Sequence, residues 1–194
     1  MRFHQSWGAL LEQLCSRLCN RWLRSPSSNL QRVISGHLSD AVDLPIPIED
    51  AETIVRAVVA PAHYKKGKLA TGVFRPPAGK SSISVMRQRM GDNYCKKKGG
   101  EIGSASPGQQ YVGLLTIRAV AIRTAGSSVT DSRDEWLGHA DLDHGFVSVP
   151  NDPLRADEFA RMTERCQALK KSSTFYADPD TATAAWSGPP LRLE

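Results

Sequence analysis

The chain has 194 residues, 40% of them hydrophobic and 23% charged, which fits one globular domain with additional segments at its ends. No run approaches the ~20 consecutive apolar residues of a membrane span, so we expect no transmembrane segment. The four cysteines form no CxxC pair, which favours reduced thiols and a cytoplasmic location over a disulfide framework.

The net charge of +5 is unevenly distributed along the chain. Residues 63–98 hold ten Lys and Arg against a single Asp, whereas residues 131–158 hold eight Asp and Glu against two Arg. A basic segment of this kind is typical of surfaces that bind polyanions. The alternative is that the basic and acidic segments pack side by side and partly neutralise each other.

The first predicted element is an amphipathic helix at residues 7–23, where Trp and Leu recur at three- and four-residue spacing. This helix could cover the domain core, lie on a membrane surface or dock on a protein partner. A shorter helix is predicted at 29–42, and the Pro-containing residues 44–48 are extended. The chain is therefore divided into an N-terminal helical extension (1–48), a core domain (49–177) and an irregular C-terminal tail (178–194).

The core domain contains three segments with the composition and alternation of β-strands. These predicted strands span residues 53–59, 82–87 and 111–123, the last with a bulge near Gly113 or Arg118. The other predicted elements are an extended piece at 69–74, a basic helix at 88–98, loops at 99–110 and 136–146, an edge strand at 147–149 and a helix at 154–171. Asp152 and Pro153 mark the start of that last helix. The pattern predicts an α+β fold, a small mixed or antiparallel sheet with a C-terminal helix, preceded by the N-terminal amphipathic helix.

The segment from Gly138 to Gly145 places two imidazoles and two carboxylates within six residues. In extended backbone, His139, Asp141 and Asp143 share one face and His144 lies on the other. Such side chains suit acid–base chemistry or the binding of a hard or borderline divalent ion. The alternative is a surface loop whose Asp residues cap turns. No metal ligand or cofactor is assigned from the sequence.

Cationic side chains on and between the predicted strands 53–59 and 82–87 form a second candidate site. Arg56 interrupts an apolar strand, which is costly unless the guanidinium is paired or binds an anion. Arginine favours phosphate because its planar fork donates two parallel hydrogen bonds. The predicted phosphate-binding residues are Arg56, Lys66, Lys68, Arg75 and Arg87, and the candidate catalytic residues are His63, His139 and His144. The alternative is that Arg56 pairs with Asp131 or Asp134 while the lysines are solvated.

The sequence contains no Gly-rich nucleotide-binding motif, no nucleophile elbow and no zinc-finger spacing. Residues 54–87, with Arg56 on a strand, a following turn and a Ser-containing strand, resemble the opening motif of ADP-ribosyltransferase-like toxins. The resemblance implies a nucleotide-modifying enzyme with a catalytic Glu. Neither Glu101 nor Glu135 has the strand context that this role requires.

Three functions are compatible with these patterns. The first is a phosphate-recognising domain that binds nucleic acid or a nucleotide through its basic central segment. The second is a toxin or defence enzyme, ADP-ribosyltransferase-like or nuclease-like, that uses His139, His144 and Arg56. The third is a non-catalytic subunit that docks on a protein partner through residues 7–23. The sequence favours the first two.

Overall fold

The computed structural model describes residues 44–105, 107–147, 149, 152 and 155–193. The helices predicted at 7–23 and 29–42 lie outside these residues. The strands in the described ranges are β1 (Thr53–Ala60), β2 (Tyr64–Lys65), β3 (Lys68–Leu69), β4 (Ser82–Arg87), β5 (Gln110–Arg118), β6 (Ser128–Asp131), β7 (His139–Asp143) and β8 (Thr174–Ala177). The α-helices there are α1 (Asp92–Ser104), α2 (Ala119–Thr124) and α3 (Ala156–Lys171).

Six strands form one sheet in the order β6-β7-β4-β1-β5-β8, and each neighbouring pair is antiparallel. The two short strands β2 and β3 form a separate hairpin. This arrangement confirms the predicted α+β fold with an antiparallel sheet and a C-terminal helix. None of the helices in the described ranges is both long and apolar enough to cross a membrane.

The side chains of β1 alternate between two apolar cores, one on each face of the sheet. Ile54 and Val58 belong to the core under α3, and Val55 and Ala57 belong to the core under α1. This alternation follows from the two-residue period of a strand. The sheet is therefore covered on both faces, which explains why β1 is almost continuously apolar.

Residues 178–193 form neither helix nor strand, but they are closely attached to α1. Lys96 of α1 is only 2% exposed, and its Nζ donates to Asp178 Oδ1 at 3.2 Å and to the carbonyls of Asp180 and Ala185 at 2.5 and 2.9 Å. Leu191 is fully buried in the core under α1. The irregular tail thus supplies part of that core.

The predicted strand 111–123 is shorter in the structure and is followed by a helix. β5 ends at Arg118, where the N–H groups of Ala119 and Val120 donate to backbone carbonyls before β1 instead of continuing the ladder. The predicted bulge is present: Val58 pairs with Gly113 but Val59 pairs with Tyr111. The 111–123 segment resembled a single long strand because the six-residue helix α2 continues the apolar run and is too short to show a helical period.

Four other predicted elements differ from the structure. The segment at 69–74 contains a 3-10 helix (Thr71–Phe74), and α1 continues beyond residue 98 to Ser104. The predicted loop at 136–146 contains β7, whereas Val147 and Val149 lie outside any strand. β7 was not predicted because His and Asp occupy three of its five positions, and these residues are uncommon in strands.

Candidate functional site

Half of the ten Lys and Arg side chains in the basic segment 63–98 contact other side chains of the domain. Four of its ten cations contact carboxylates: Arg87 with Glu52 and Asp131, Arg89 with Glu49, Lys96 with Asp178, and Lys98 with Glu101. Arg75 donates to Thr163 Oγ1 at 2.7 Å and stacks over the Phe159 ring at 4.3 Å. These contacts neutralise much of the charge that the sequence places in this segment.

Arg87 lies in a buried ion network rather than at a surface. Its Nε and Nη2 bind the two Glu52 oxygens at 2.6 and 2.7 Å, and its Nη1 binds Asp131 at 2.5 Å. Arg133 donates to the same Asp131, and its hydrogen bond holds the pKa of that carboxyl at about 2. Glu52, together with Asp131 of the acid-rich segment, therefore neutralises Arg87. The alternative pairing of Arg56 with Asp131 is wrong, because Arg87 and Arg133 take that acid.

Arg56 fills the place where β1 and β4 separate. The two strands pair at Ile54 and Val55, and beyond them Arg56 donates to the carbonyls of Ser84 and Val73, each at 2.8 Å. Burial lowers the pKa of Arg56 to about 10, so the side chain remains charged at neutral pH. The guanidinium replaces ladder hydrogen bonds, which accounts for an arginine in an apolar strand.

His63 and His144 both bind backbone groups through their rings. His63 Nδ1 accepts from Val59 N at 3.3 Å, and burial, aided by the nearby Arg56 charge, lowers its pKa to about 4. His144 Nε2 donates to Phe74 O at 2.9 Å, while Nδ1 accepts from Ser127 Oγ at 2.9 Å. Burial lowers the pKa of His144 as well. Both rings are therefore neutral at pH 7; His63 closes the turn after β1, and His144 connects the segments around Phe74 and Ser127.

His139 lies apart from the other two histidines. It opens β7 with its side chain on the α1 side of the sheet, packed on Trp136 with ring centroids 4.6 Å apart, whereas His144 contacts Phe74 of the opposite core. The structure thus does not bring His63, His139 and His144 into one site. Their catalytic role stays a prediction.

His139 does have two carboxylates beside it. One ring nitrogen and the carboxylate oxygens of Glu135 and Asp141 all lie within 4.8 Å of one another. Glu135 Oε2 is 3.7 Å from His139 Nδ1, since the turn between β6 and β7 places a residue four positions upstream against the ring. We call these three residues the carboxylate–imidazole cluster. The sequence indicated His139 and Asp141 as candidate ligands, but it indicated Glu135 only as a candidate catalytic Glu. Glu135 lies in this turn and not on a strand, and the other candidate, Glu101, lies in α1.

Both carboxylates of the cluster line a cavity of about 370 Å³ at the β4–β7 end of the sheet. The other residues around this cavity are Arg56, Pro77, Lys80, Ser82, Ile83 and Ser84. Asp141 pairs with Ser84 in the β4–β7 ladder, so these side chains share one face of the sheet. The cavity is polar and carries charges of both signs.

The remaining free charge of the basic segment is concentrated on the β2–β3 hairpin. Lys65, Lys66 and Lys68 are exposed, and their side chains have no hydrogen-bond or ion-pair partner among the described residues. Lys65 and Lys68 are cross-strand partners, and Lys66 has a left-handed φ of 51° beside Gly67 at 75°. Two consecutive positive φ values are those of a type I′ hairpin turn. We call residues 64–69 the lysine hairpin.

The lysine hairpin is fixed to the domain at its base. The Tyr64 ring packs on Phe175 of β8 with centroids 5.3 Å apart, and Ala70 N donates to His63 O at 2.8 Å. Lys170 near the end of α3 donates to Leu69 O at 2.8 Å, and Lys171 beside it is exposed. The hairpin lysines are thus held on a short, anchored element next to two further cations. Sequence reasoning missed Lys170 and Lys171 because they lie about 100 residues from the hairpin.

Comparison of the chain with protein-family models, with curated proteins and with solved structures gives no match.

Proposed function

We propose that this protein is a cytoplasmic nucleic-acid-binding domain whose lysine hairpin contacts the phosphate backbone. The observation that carries the proposal is the unneutralised set of three lysines on an anchored hairpin. Phosphate contacts by lysine supply most of the sequence-independent affinity for nucleic acid.

The local physics of the hairpin supports a role in binding an anion. Like charges directly opposite each other on antiparallel strands are destabilising, and Lys65 and Lys68 have this relation. A lysine at positive φ is also unfavourable where Gly or Asn would serve, and Lys66 occupies such a position. An anion bound across the hairpin would offset the charge repulsion. Two unfavourable features at adjacent positions are difficult to explain by stability alone.

The shape of the surface favours an extended polyanion over a single nucleotide. The three hairpin lysines are exposed and do not line the cavity described above, whereas small ligands are bound in concave pockets. Lys170 and Lys171 extend the charge from the hairpin onto α3. The enzymatic role of the histidines and the partner-binding role of residues 7–23 remain alternative predictions.

The test is nucleic-acid binding as a function of salt. Wild-type protein is titrated into labelled 20-base-pair DNA and single-stranded RNA, with fluorescence anisotropy as the readout. The double variant Lys65→Gln/Lys68→Gln should bind more weakly and lower the slope of log K against log salt on DNA by about 1.8, since each phosphate contact contributes about 0.9. The matched control Lys97→Gln/Arg192→Gln removes the same charge from two other exposed positions.

Two outcomes would remove the proposal. One is the absence of binding to either nucleic acid at micromolar protein and low salt. The other is an equal loss of affinity in the hairpin and control variants, which would show that net charge acts without a localised surface.

A further inference from the structure

We propose that Glu135, His139 and Asp141 form a binding site for a divalent transition-metal ion of the Mn²⁺ type. The inference does not rest on the proposed function, because none of these residues belongs to the lysine hairpin. It follows from the donor set, from the unpartnered Asp141 carboxylate and His139 Nε2, and from the adjoining cavity.

The donor set is one imidazole nitrogen and two carboxylates whose ligand atoms lie within 4.8 Å of one another. Oxygen-only sites suit Mg²⁺ and Ca²⁺, and thiolates and several imidazoles select zinc. A set with one nitrogen and carboxylate oxygens lies between these classes and suits Mn²⁺. The preference of the site for Mn²⁺ can therefore be tested by adding Mn²⁺ without any other ligand.

Both carboxylates of the set and one of the two ring nitrogens have no hydrogen-bond partner among the described residues, whereas the other ring nitrogen contacts Ser132. The Asp141 carboxylate has no hydrogen-bond or ion-pair partner in the part of the chain that the structure describes. His139 is fully buried; its Nδ1 lies 2.7 Å from Ser132 Oγ, and its Nε2 has no hydrogen-bond partner among the described atoms. A buried imidazole nitrogen without a partner is costly, and a bound ion would remove that cost.

The surroundings hold the histidine in place and leave room for an ion. Trp136 packs on the imidazole, and Gly138 turns the chain into β7 at a φ of 80° with the Met90 side chain against its Cα. Glu135 and Asp141 also line the 370 Å³ cavity. A rigid imidazole beside two carboxylates at a cavity is a geometry in which waters or an anionic ligand can complete the coordination.

The experiment is a titration of the full chain with Mn²⁺, followed by the electron paramagnetic resonance signal of the free ion. Mn²⁺ is chosen because the cysteines elsewhere in the chain would bind Zn²⁺. Wild type should bind one ion saturably. Asp141→Asn and Glu135→Gln should each weaken binding by roughly tenfold or more, since loss of even an outer-shell partner costs about 10–100-fold.

Asp134→Asn is the matched control, because Asp134 is an exposed carboxylate next to Glu135 and outside the cluster. It should bind Mn²⁺ as wild type does. Glu135 has a 63% exposed side chain, so Glu135→Gln is expected to fold, which circular dichroism verifies. Failure of wild type to bind Mn²⁺ saturably, or equal affinity in wild type, Glu135→Gln and Asp141→Asn, would overturn the proposal.

Discussion

The substitution Arg87→Met tests the buried ion network without changing the proposed nucleic-acid-binding surface. Methionine keeps much of the side-chain volume but removes three charged hydrogen bonds, to Glu52 at 2.6 and 2.7 Å and to Asp131 at 2.5 Å. The side chains of Arg87, Glu52 and Asp131 are 0, 1 and 5% exposed, so both acids would stay buried after the change.

Breaking a buried ion pair by removing one partner costs about 3–5 kcal/mol. Asp131 keeps Arg133 as a partner, and Arg89 lies 3.5 Å from Glu52, so we expect the lower end of this range. A loss of about 3 kcal/mol would lower the Tm by roughly 6–12 °C in a domain of about 150 residues. Urea unfolding followed by tryptophan fluorescence at pH 7.5 measures the loss.

The pH dependence gives a second test of the same reasoning. Protonation removes the charge of the uncompensated carboxylates in Arg87→Met, so its deficit relative to wild type should shrink as the pH falls from 7 to 5. Arg123→Met is the control, because Arg123 is 35% exposed and its pair with Asp50 should contribute about 0–1 kcal/mol. A deficit in Arg87→Met no larger than in the control would refute the argument. Below its melting temperature Arg87→Met should bind nucleic acid as wild type does, in contrast to the role predicted for Arg87 from the sequence.

Three further predictions concern single residues. Lys66→Asn should raise the free energy of unfolding by about 0.5–1 kcal/mol, since asparagine tolerates positive φ, while nucleic-acid affinity falls. The pKa of His63 is lowered to about 4, so the unfolded chain binds a proton more readily and stability should fall from about pH 6.5 towards 4. In His63→Gln the urea midpoint should change less with pH over that range. Gly138→Ala should destabilise by about 1–3 kcal/mol beyond Gly145→Ala in urea melts. Both glycines have φ near 80°, but a Cβ at Gly138 would lie 2.4 Å from Met90 Cγ, whereas none is near Gly145. Equal effects at the two glycines would contradict the steric argument.

The strands with apolar residues could be predicted from the sequence because their alternation reflects burial directly. β1 and β4 begin where predicted, at Thr53 and Ser82. β7 could not be predicted, because one face of the strand carries His139, Asp141 and Asp143 in place of apolar residues. Hydrophobic periodicity indicates a strand only where apolar residues occupy the buried positions of that strand.

The basic segment shows where local sequence reasoning fails at the candidate site. Charge counting along 63–98 treated Arg87 and Lys68 alike, yet Arg87 is buried between two acids and Lys68 is exposed. The partners that decide this difference, Glu52 and Asp131, are 35 and 44 residues away in the chain. Such pairings depend on the order of the strands in the sheet, and local sequence patterns do not reveal that order.

The attachment of the C-terminal tail to α1 determines how far this protein can be shortened. Cutting after Ala177 would remove all the hydrogen-bond acceptors that the Lys96 ammonium has among the described residues, and it would expose the site of Leu191 to water. An isolated, inward-facing ammonium is far more costly than an exposed one. A fragment designed for biophysical work therefore has to extend at least to Leu191, although nothing in the hydropathy of these last residues marks them as part of the folding unit.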